Sequence, residues 1–271
     1  EYPHLKNSYF NFLFNKMHSI ANKTLMLELQ IAKLTNQLKG VDSKARFDYF
    51  YSEFFDTKRI SAFLQEYPIV HSQLQLSLEQ CHHQLHNLLS RLSQDREKIA
   101  QTFGINVEEP LIGVKFELGD PHGNGESVTL LQFSSRKLIY KPRSIYGVQA
   151  FQNLLGYLNQ NIGDFSFPIL NVLPCSGYGW VEFIEHQECN AINDFKEFYS
   201  SMGGYLALLS TLGATDFHFE NLIAVGKNPV LVDLETLFSG RYLRGIESGN
   251  RTIQDKMSDI IESSVLRVGF L

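Results

Sequence analysis

The stretch that decides the fold is LIGVKFELGDPHGNGESVTLLQFSSRKLIYKP, residues 111–142. Its apolar runs at 111–118, 127–133 and 138–142 are short and rich in β-branched and aromatic residues, which predicts three strands. The first connection, 119–125, holds three Gly and a Pro, and the second is a short polar turn. The segment is therefore expected to form an antiparallel meander whose first loop is rich in glycine.

The glycine-rich loop and a lysine on the third strand together indicate a phosphate-binding site. Backbone amides around Gly123 and Gly125 are able to face phosphate oxygens, although an ordinary hairpin turn explains the loop better when it is taken alone. Lys141 lies on the third strand, from which an ammonium group can neutralise phosphate charge. Arg143, two residues later, is expected on the same sheet face, either assisting with phosphate or sitting at the rim.

A second hairpin is predicted near the end of the chain, with polar residues at its open end. Residues 222–225 and 230–233 read as strands around turn residues 226–229. If Val225 pairs with Val230, the strands place Leu222 opposite Asp233, with Asn221 beside it. An amide oxygen and a carboxylate at that spacing suit Mg²⁺.

Two further polar residues precede this hairpin in the same loop. Asp216 or His218 is placed to accept a proton from, or to orient, a hydroxyl that attacks a phosphoryl group. The alternative is that Asp216 and Asn221 cap a turn while His218 is an ordinary loop residue. The ordered set of loop, lysine and polar hairpin favours phosphoryl transfer over these separate explanations.

The first hundred residues show helical periodicity instead. Apolar or aromatic residues recur at helical spacing over 19–38, 46–66 and 69–103, which predicts a helical bundle or docking layer. Cys81, His82, His83 and His86 are close enough to suggest a metal site, but a solvated helix face explains them better. A further helix is predicted at 145–158, without a Glu to pair with the strand lysine.

Composition limits the function class. The chain has 271 residues, 44% hydrophobic residues and a net charge of -5, which is typical of a globular protein and disfavours nucleic acid as a partner. No apolar run is long enough for a transmembrane segment, and three scattered cysteines favour a reducing cytoplasm. Because the chain begins at Glu1, we expect it to be an excerpt from a longer protein.

The Asp-x-His-x-x-Asn order at 216–221 is similar to the catalytic loop of lipid kinases. Five motifs together resemble the dehydratase domain of type 2 lanthipeptide synthetases, and the resemblance covers essentially the whole chain. They are GDPHGNG at 119–125, YKPR at 140–143, YGWVEF at 178–183, DFHFEN at 216–221 and VDLETLF at 232–238.

This resemblance implies an α+β fold with a helical N-terminal region and a lipid-kinase-like core. The expected boundaries are 1–105 for the helical region, 106–185 for the kinase-like N-lobe and 186–271 for the start of an incomplete C-lobe. The family's cyclase domain and the remaining elimination residues are expected outside this chain. The activity of this piece alone is left open.

The implied reaction is phosphorylation of Ser and Thr in a ribosomally made precursor peptide, followed by phosphate elimination to dehydroalanine or dehydrobutyrine. The peptide carries a leader and a Ser/Thr/Cys-rich core. ATP and Mg²⁺ are the implied cofactors, in the cytoplasm or at the inner membrane face beside an export complex. The implied roles are ATP contact for Lys141, Gly123, Gly125 and Arg143, catalysis for Asp216, His218, Asp120 and His122, and metal binding for Asn221 and Asp233.

Two alternatives share the same residues. A stand-alone small-molecule kinase would use the phosphate site but leaves the helical first hundred residues unexplained. A non-catalytic, pseudokinase-like binding module is disfavoured because Lys141, Asp216, Asn221 and Asp233 are all present.

Overall fold

The computed structural model describes residues 3–119, 125–162, 166–237 and 252–270. The chain divides into two compact units, Glu1–Pro142 and Arg143–Leu271. This division falls directly after the predicted third strand. The domain boundaries expected at residues 105 and 185 stay predictions.

The first unit begins with five helices: α1 Pro3–Leu34, α2 Ser43–Phe54, α3 Thr57–Glu66, α4 Pro68–Gln94 and α5 Arg96–Phe103. The helical character predicted for this region is confirmed, but two predicted helices are each divided in two. Asp56 separates α2 from α3 because its side chain accepts a bond from the Lys58 amide and so caps a new helix. Gly104 ends α5 in the left-handed conformation, as its position predicts.

Three antiparallel strands follow in the first unit, namely β1 Leu111–Lys115, β2 Thr129–Phe133 and β3 Lys137–Lys141. Leu131 in the middle strand pairs with Val114 on one side and Leu138 on the other, and all three are buried. The predicted meander is therefore confirmed, with strands that are shorter than the apolar runs.

The second unit contains α6 Tyr146–Asn161, β4 Val172–Cys175, β5 Tyr178–Glu182, α7 Ile192–Leu212, β6 Leu222–Val225, β7 Asn228–Leu231 and α8 Ile253–Glu262. Strands β4 and β5 form one antiparallel hairpin, and β6 and β7 form another. Short 3-10 turns lie at Phe219–Asn221 and Val265–Val268.

The core of the second unit gathers side chains from distant parts of the sequence. Phe151 and Leu155 of α6, Tyr205 and Leu209 of α7, Phe217, Leu231, Leu237 and Val268 belong to one buried cluster. The loop that precedes β6 is thus anchored by a buried aromatic residue, which fixes the polar residues on either side of it. The mixed helical and sheet fold with helices first is confirmed, and its kinase-like arrangement stays a prediction.

Candidate functional site

The loop at 214–221 carries Asp216 in an unusual backbone conformation. Asp216 has φ 63°, in the left-handed region that non-glycine residues seldom occupy. Backbone bonds hold both neighbours: Thr215 donates to Thr236 O at 3.3 Å, and the buried Phe217 donates to Val268 O at 2.8 Å. The Asp216 side chain is 68% exposed, so the loop presents this carboxylate to solvent.

His218 and Asn221 both contact Asp216. His218 Nε2 lies 3.7 Å from Asp216 Oδ1, and its Nδ1 accepts a bond from the Glu220 amide at 3.3 Å. A neutral ring that accepts at Nδ1 carries its proton on Nε2, the atom nearer Asp216. Asn221 Nδ2 donates to the Asp216 carbonyl at 2.7 Å, which fixes the two ends of the loop to each other.

The register predicted for the β6–β7 hairpin is wrong. Val225 pairs with Asn228 instead of Val230, and Leu222 pairs with Leu231 instead of Asp233. The turn contains only two residues because Gly226, at its first position, adopts φ 57°. Glycine at that position suits a two-residue hairpin turn, and the predicted four-residue turn is unnecessary.

The corrected register still brings Asn221 and Asp233 to the same end of the hairpin. The Val232 amide donates to Asn221 O at 3.1 Å, which extends the ladder by one step beyond Leu222 and Leu231. Asp233 is the next residue along the chain.

Arg143 forms an ion-pair network with two carboxylates. Its Nη2 lies 3.6 Å from Asp233 Oδ1, and its Nη1 contacts a Glu235 carboxylate oxygen. The Glu235 amide in turn donates to Asp233 Oδ1 at 3.2 Å. Burial lowers the pKa of the Arg143 guanidinium, and the negative charge of Asp233 opposes that shift.

This network changes the interpretation of Arg143. Strand β3 ends at Lys141, so the alternation that would place Arg143 on the same sheet face does not continue to it. The guanidinium is positioned to orient and neutralise the Asp233 carboxylate. That pairing could not be inferred from the sequence because its partners lie about ninety residues further along the chain.

The other predicted phosphate-binding residues belong to the first unit. Lys141 is the last residue of β3 and is 7% exposed, so its aliphatic chain is buried. Gly125 has φ 82°, a conformation that favours glycine. Asp120, His122 and Gly123 lie outside the described residues.

Asn221 and Asp233 are the described residues whose side chains suit a magnesium ion. Within 3–119, 125–162, 166–237 and 252–270, no group of three or more His, Cys, Asp or Glu side chains is arranged to hold a metal. Mg²⁺ needs fewer protein ligands, since it takes one or two carboxylates and completes its shell with water and substrate phosphates. An amide oxygen from Asn221 and a carboxylate from Asp233 are hard ligands of that kind.

One supporting element was missed by the sequence reasoning. The turn at Val265–Val268 lies against the Asp216 loop, because Val268 O receives the Phe217 amide. Gly269 follows with φ 86°, and a Cβ added there would lie 3.3 Å from the Phe217 nitrogen. The only sequence signal was a single glycine within an apolar run.

No helix among the described residues is both long enough and apolar enough to cross a membrane.

Comparisons with known proteins agree with the motif pattern. The lacticin 481/lactococcin biosynthesis protein LcnDR2 of Lactococcus lactis subsp. lactis is 27% identical over 263 residues. The matched region is 93% of this chain and 28% of that protein, so the chain spans less than a third of its relative. The resemblance to the type 2 lanthipeptide synthetases is thereby confirmed. A family model described as "Domain of unknown function (DUF4135)" matches residues 67–271, and the chain therefore belongs to the DUF4135 family.

Proposed function

We propose that this chain is the dehydratase part of a lanthipeptide synthetase, acting on a ribosomally made precursor peptide. The relative's role in lacticin 481 and lactococcin biosynthesis supports the peptide-modifying class. The observation that carries the chemistry is the Asp216 loop, in which Asn221 donates to the Asp216 carbonyl and accepts from Val232, the residue before Asp233.

The first proposed step is phosphorylation of a Ser or Thr hydroxyl by ATP. The exposed Asp216 carboxylate is placed to accept the hydroxyl proton as the oxygen attacks the terminal phosphorus. His218, 3.7 Å from that carboxylate, supports its orientation. Lys141 would neutralise charge on the ATP phosphates. The terminal phosphoryl group is transferred to the hydroxyl oxygen, and ADP is the leaving group.

Asn221 and Asp233 would hold Mg²⁺, which, when bound, neutralises phosphate charge and aligns the terminal phosphoryl group. Arg143 holds the Asp233 carboxylate in place through its ion pair. Glu235 belongs to the same network and shares the guanidinium. Its proposed role is therefore support of the metal-binding carboxylate.

The second proposed step is elimination of the phosphate. A base removes the Cα proton of the phosphorylated residue, the Cα–Cβ double bond forms, and the Cβ–O bond breaks to release phosphate. Asp120 and His122, from the motif at 119–125, are our candidates for participation in one or both steps. The His122→Ala variant in the experiment that follows tests whether His122 acts in elimination.

Mass spectrometry of a precursor peptide co-expressed with the complete protein tests this proposal. The wild type should remove the mass of one water per modified Ser or Thr. Asp216→Asn should leave the peptide unmodified, whereas Asp48→Asn, an exposed carboxylate in α2, should leave dehydration unchanged. Accumulation of phosphopeptide with His122→Ala would assign His122 to elimination.

Two results would contradict the proposal. An unmodified peptide with the wild type would exclude the dehydratase role. Phosphorylation of sugars or small alcohols without peptide activity would favour a small-molecule kinase. Purified protein should also need both ATP and Mg²⁺, and dehydration that continues after chelation of the metal would refute the assigned roles of Asn221 and Asp233.

A further inference from the structure

A row of polar side chains on α4 faces the strands of the first unit. Gln80, Gln84, Asn87 and Arg91 are separated by four, three and four residues, so they lie on one face of the helix. We call these four residues the α4 polar row. None of them has a role in the chemistry proposed above, yet each contacts the segment after the glycine-rich loop or the strand that carries Lys141.

The first half of the α4 polar row contacts the end of the glycine-rich loop. Gln80 lies so close to Gly125 that a Cβ added there would be 2.8 Å from Gln80 Oε1. Gln84 is 1% exposed, and its Nε2 donates to Ser127 Oγ at 3.0 Å and to Ser127 O at 3.3 Å. A buried amide that donates twice to one residue fixes the backbone there, because breaking those bonds leaves polar groups unsatisfied.

The second half reaches Glu126 and β3. Asn87 Nδ2 donates to Glu126 Oε1 at 2.9 Å. Arg91 lies 4.0 Å from the same carboxylate, and its Nη1 donates to the Tyr140 hydroxyl. Tyr140 is buried and immediately precedes Lys141, so this contact restrains the strand at the phosphate-binding lysine.

Helix α1 contacts the residues that precede the same loop. Phe12 stacks on Phe116 with ring centroids 4.8 Å apart, and Lys16 pairs with Glu117. The Leu118 amide donates to Val128 O at 3.0 Å, which links the two stems below the loop. The entering stem is thus held by α1 and the leaving stem by α4.

We propose that the α4 polar row is a positioning element for the ATP site, which holds Gly125, Ser127 and the strand that carries Lys141 in a geometry suited to phosphate binding. The inference rests on the proposed function. Glycine has high conformational freedom, so the Gly125 amide contributes to phosphate binding only when its neighbours are fixed. The four side chains supply that restraint without touching the nucleotide, and they give the helical N-terminal region a role in phosphoryl transfer.

Enzyme kinetics on the complete protein test the proposal. Gln84→Met keeps the side-chain volume but removes both bonds, and Arg91→Met removes the contact with Tyr140. We expect each to raise the KM for ATP in peptide phosphorylation by about three- to tenfold, the range that one or two lost hydrogen bonds produce. The KM for the peptide should not change, and Arg91→Lys should restore part of the affinity for ATP.

A matched control and a second measurement separate positioning from folding. Gln75→Met changes the same residue type on the exposed side of α4, where the Gln75 amide donates to Glu79, and should leave the KM for ATP unchanged. Hydrogen exchange without nucleotide should accelerate at 125–130 in Gln84→Met while residues in α7 keep their protection.

The outcomes distinguish this inference from the proposed function. Variants that retain wild-type KM for ATP and wild-type exchange at 125–130 would overturn the positioning role. A general loss of protection, including α7, would show a merely structural role and would overturn it too. A wild type that shows no ATP-dependent activity would refute the proposed function, while the exchange at 125–130 would still decide whether α4 fixes the loop.

Discussion

Replacements of Asp216 should show that the backbone conformation of the loop affects stability while the Asp216 carboxylate is needed for activity. At φ 63° a residue with a Cβ carries a cost of about 1–2 kcal/mol, which glycine avoids. Glycine loses about 0.5–1 kcal/mol more chain entropy on folding than alanine does. The Asp216 side chain is largely exposed and its contact with His218 is long, so its removal costs little packing.

These terms predict a definite order of stability. Asp216→Gly should be more stable than Asp216→Ala by about 1 kcal/mol, because relief of the left-handed cost exceeds the added entropy. At Ser200, an exposed position within α7, the order should reverse, with Ser200→Ala more stable than Ser200→Gly by about 1 kcal/mol. Thermal or denaturant unfolding of the four variants in the complete protein measures both differences.

The same variants test the function. Asp216→Gly should remain folded and still leave the precursor peptide unphosphorylated, because no other group replaces the carboxylate that accepts the proton. Loss of activity in a protein at least as stable as the wild type excludes misfolding as the cause. If Asp216→Ala is as stable as Asp216→Gly, the backbone argument is refuted; if Asp216→Gly dehydrates the peptide normally, the catalytic role is refuted.

Two further predictions concern the supports of the site, and a third concerns Glu109, whose carboxylate accepts hydrogen bonds from Ser135 in the turn between β2 and β3. Gly269→Ala should destabilise the protein by about 1–2 kcal/mol in denaturant unfolding because its φ is 86°; an unchanged midpoint would contradict this. Arg143→Ala should weaken Mg²⁺-dependent binding of ATP more than Arg143→Lys does, as measured by calorimetry; equal affinities would argue against the ion pair as a support. Hydrogen bonds from Ser135 lower the pKa of Glu109, so its contribution to stability is present above the ordinary value of 4.5 and is lost as the pH falls below it. Glu109→Gln should therefore reduce the loss of unfolding free energy as the pH falls below 4.5. If the variant loses as much stability there as the wild type does, the assignment to Glu109 is wrong.

The sequence predicted the elements whose signals are local. Period-two and helical patterns indicated the meander, the helical first hundred residues and the second hairpin, because side chains a few residues apart share one face. Helix ends were less predictable. Asp56 and Asp95 divide long apolar patterns into separate helices, since local capping and turns interrupt a periodicity that continues across them.

The contacts that were not predicted join residues far apart in the sequence. Arg143 meets Asp233 and Glu235, and Gly269 lies against the backbone of the Asp216 loop. Neither contact leaves a periodic pattern, because each depends on how whole elements pack. The polar row on α4 is a similar case, since its spacing reveals a helix face but not the strand that the face meets.

The hairpin shows why a wrong register can still bring the same residues to one end of the hairpin. In the predicted pairing Asn221 lies opposite Leu234, and in the observed ladder it bonds to Val232. Asp233 is adjacent in sequence to both of these partners. It precedes Leu234 in the predicted pairing and follows Val232 in the observed one, so the shift in register keeps it next to the residue opposite Asn221. The position of Asp233 next to the partner of Asn221 therefore depends on the hairpin closing near Gly226, and not on which turn closes it. The order of polar residues at the two ends of the hairpin is accordingly stronger evidence for a metal-phosphate site than any single predicted pair.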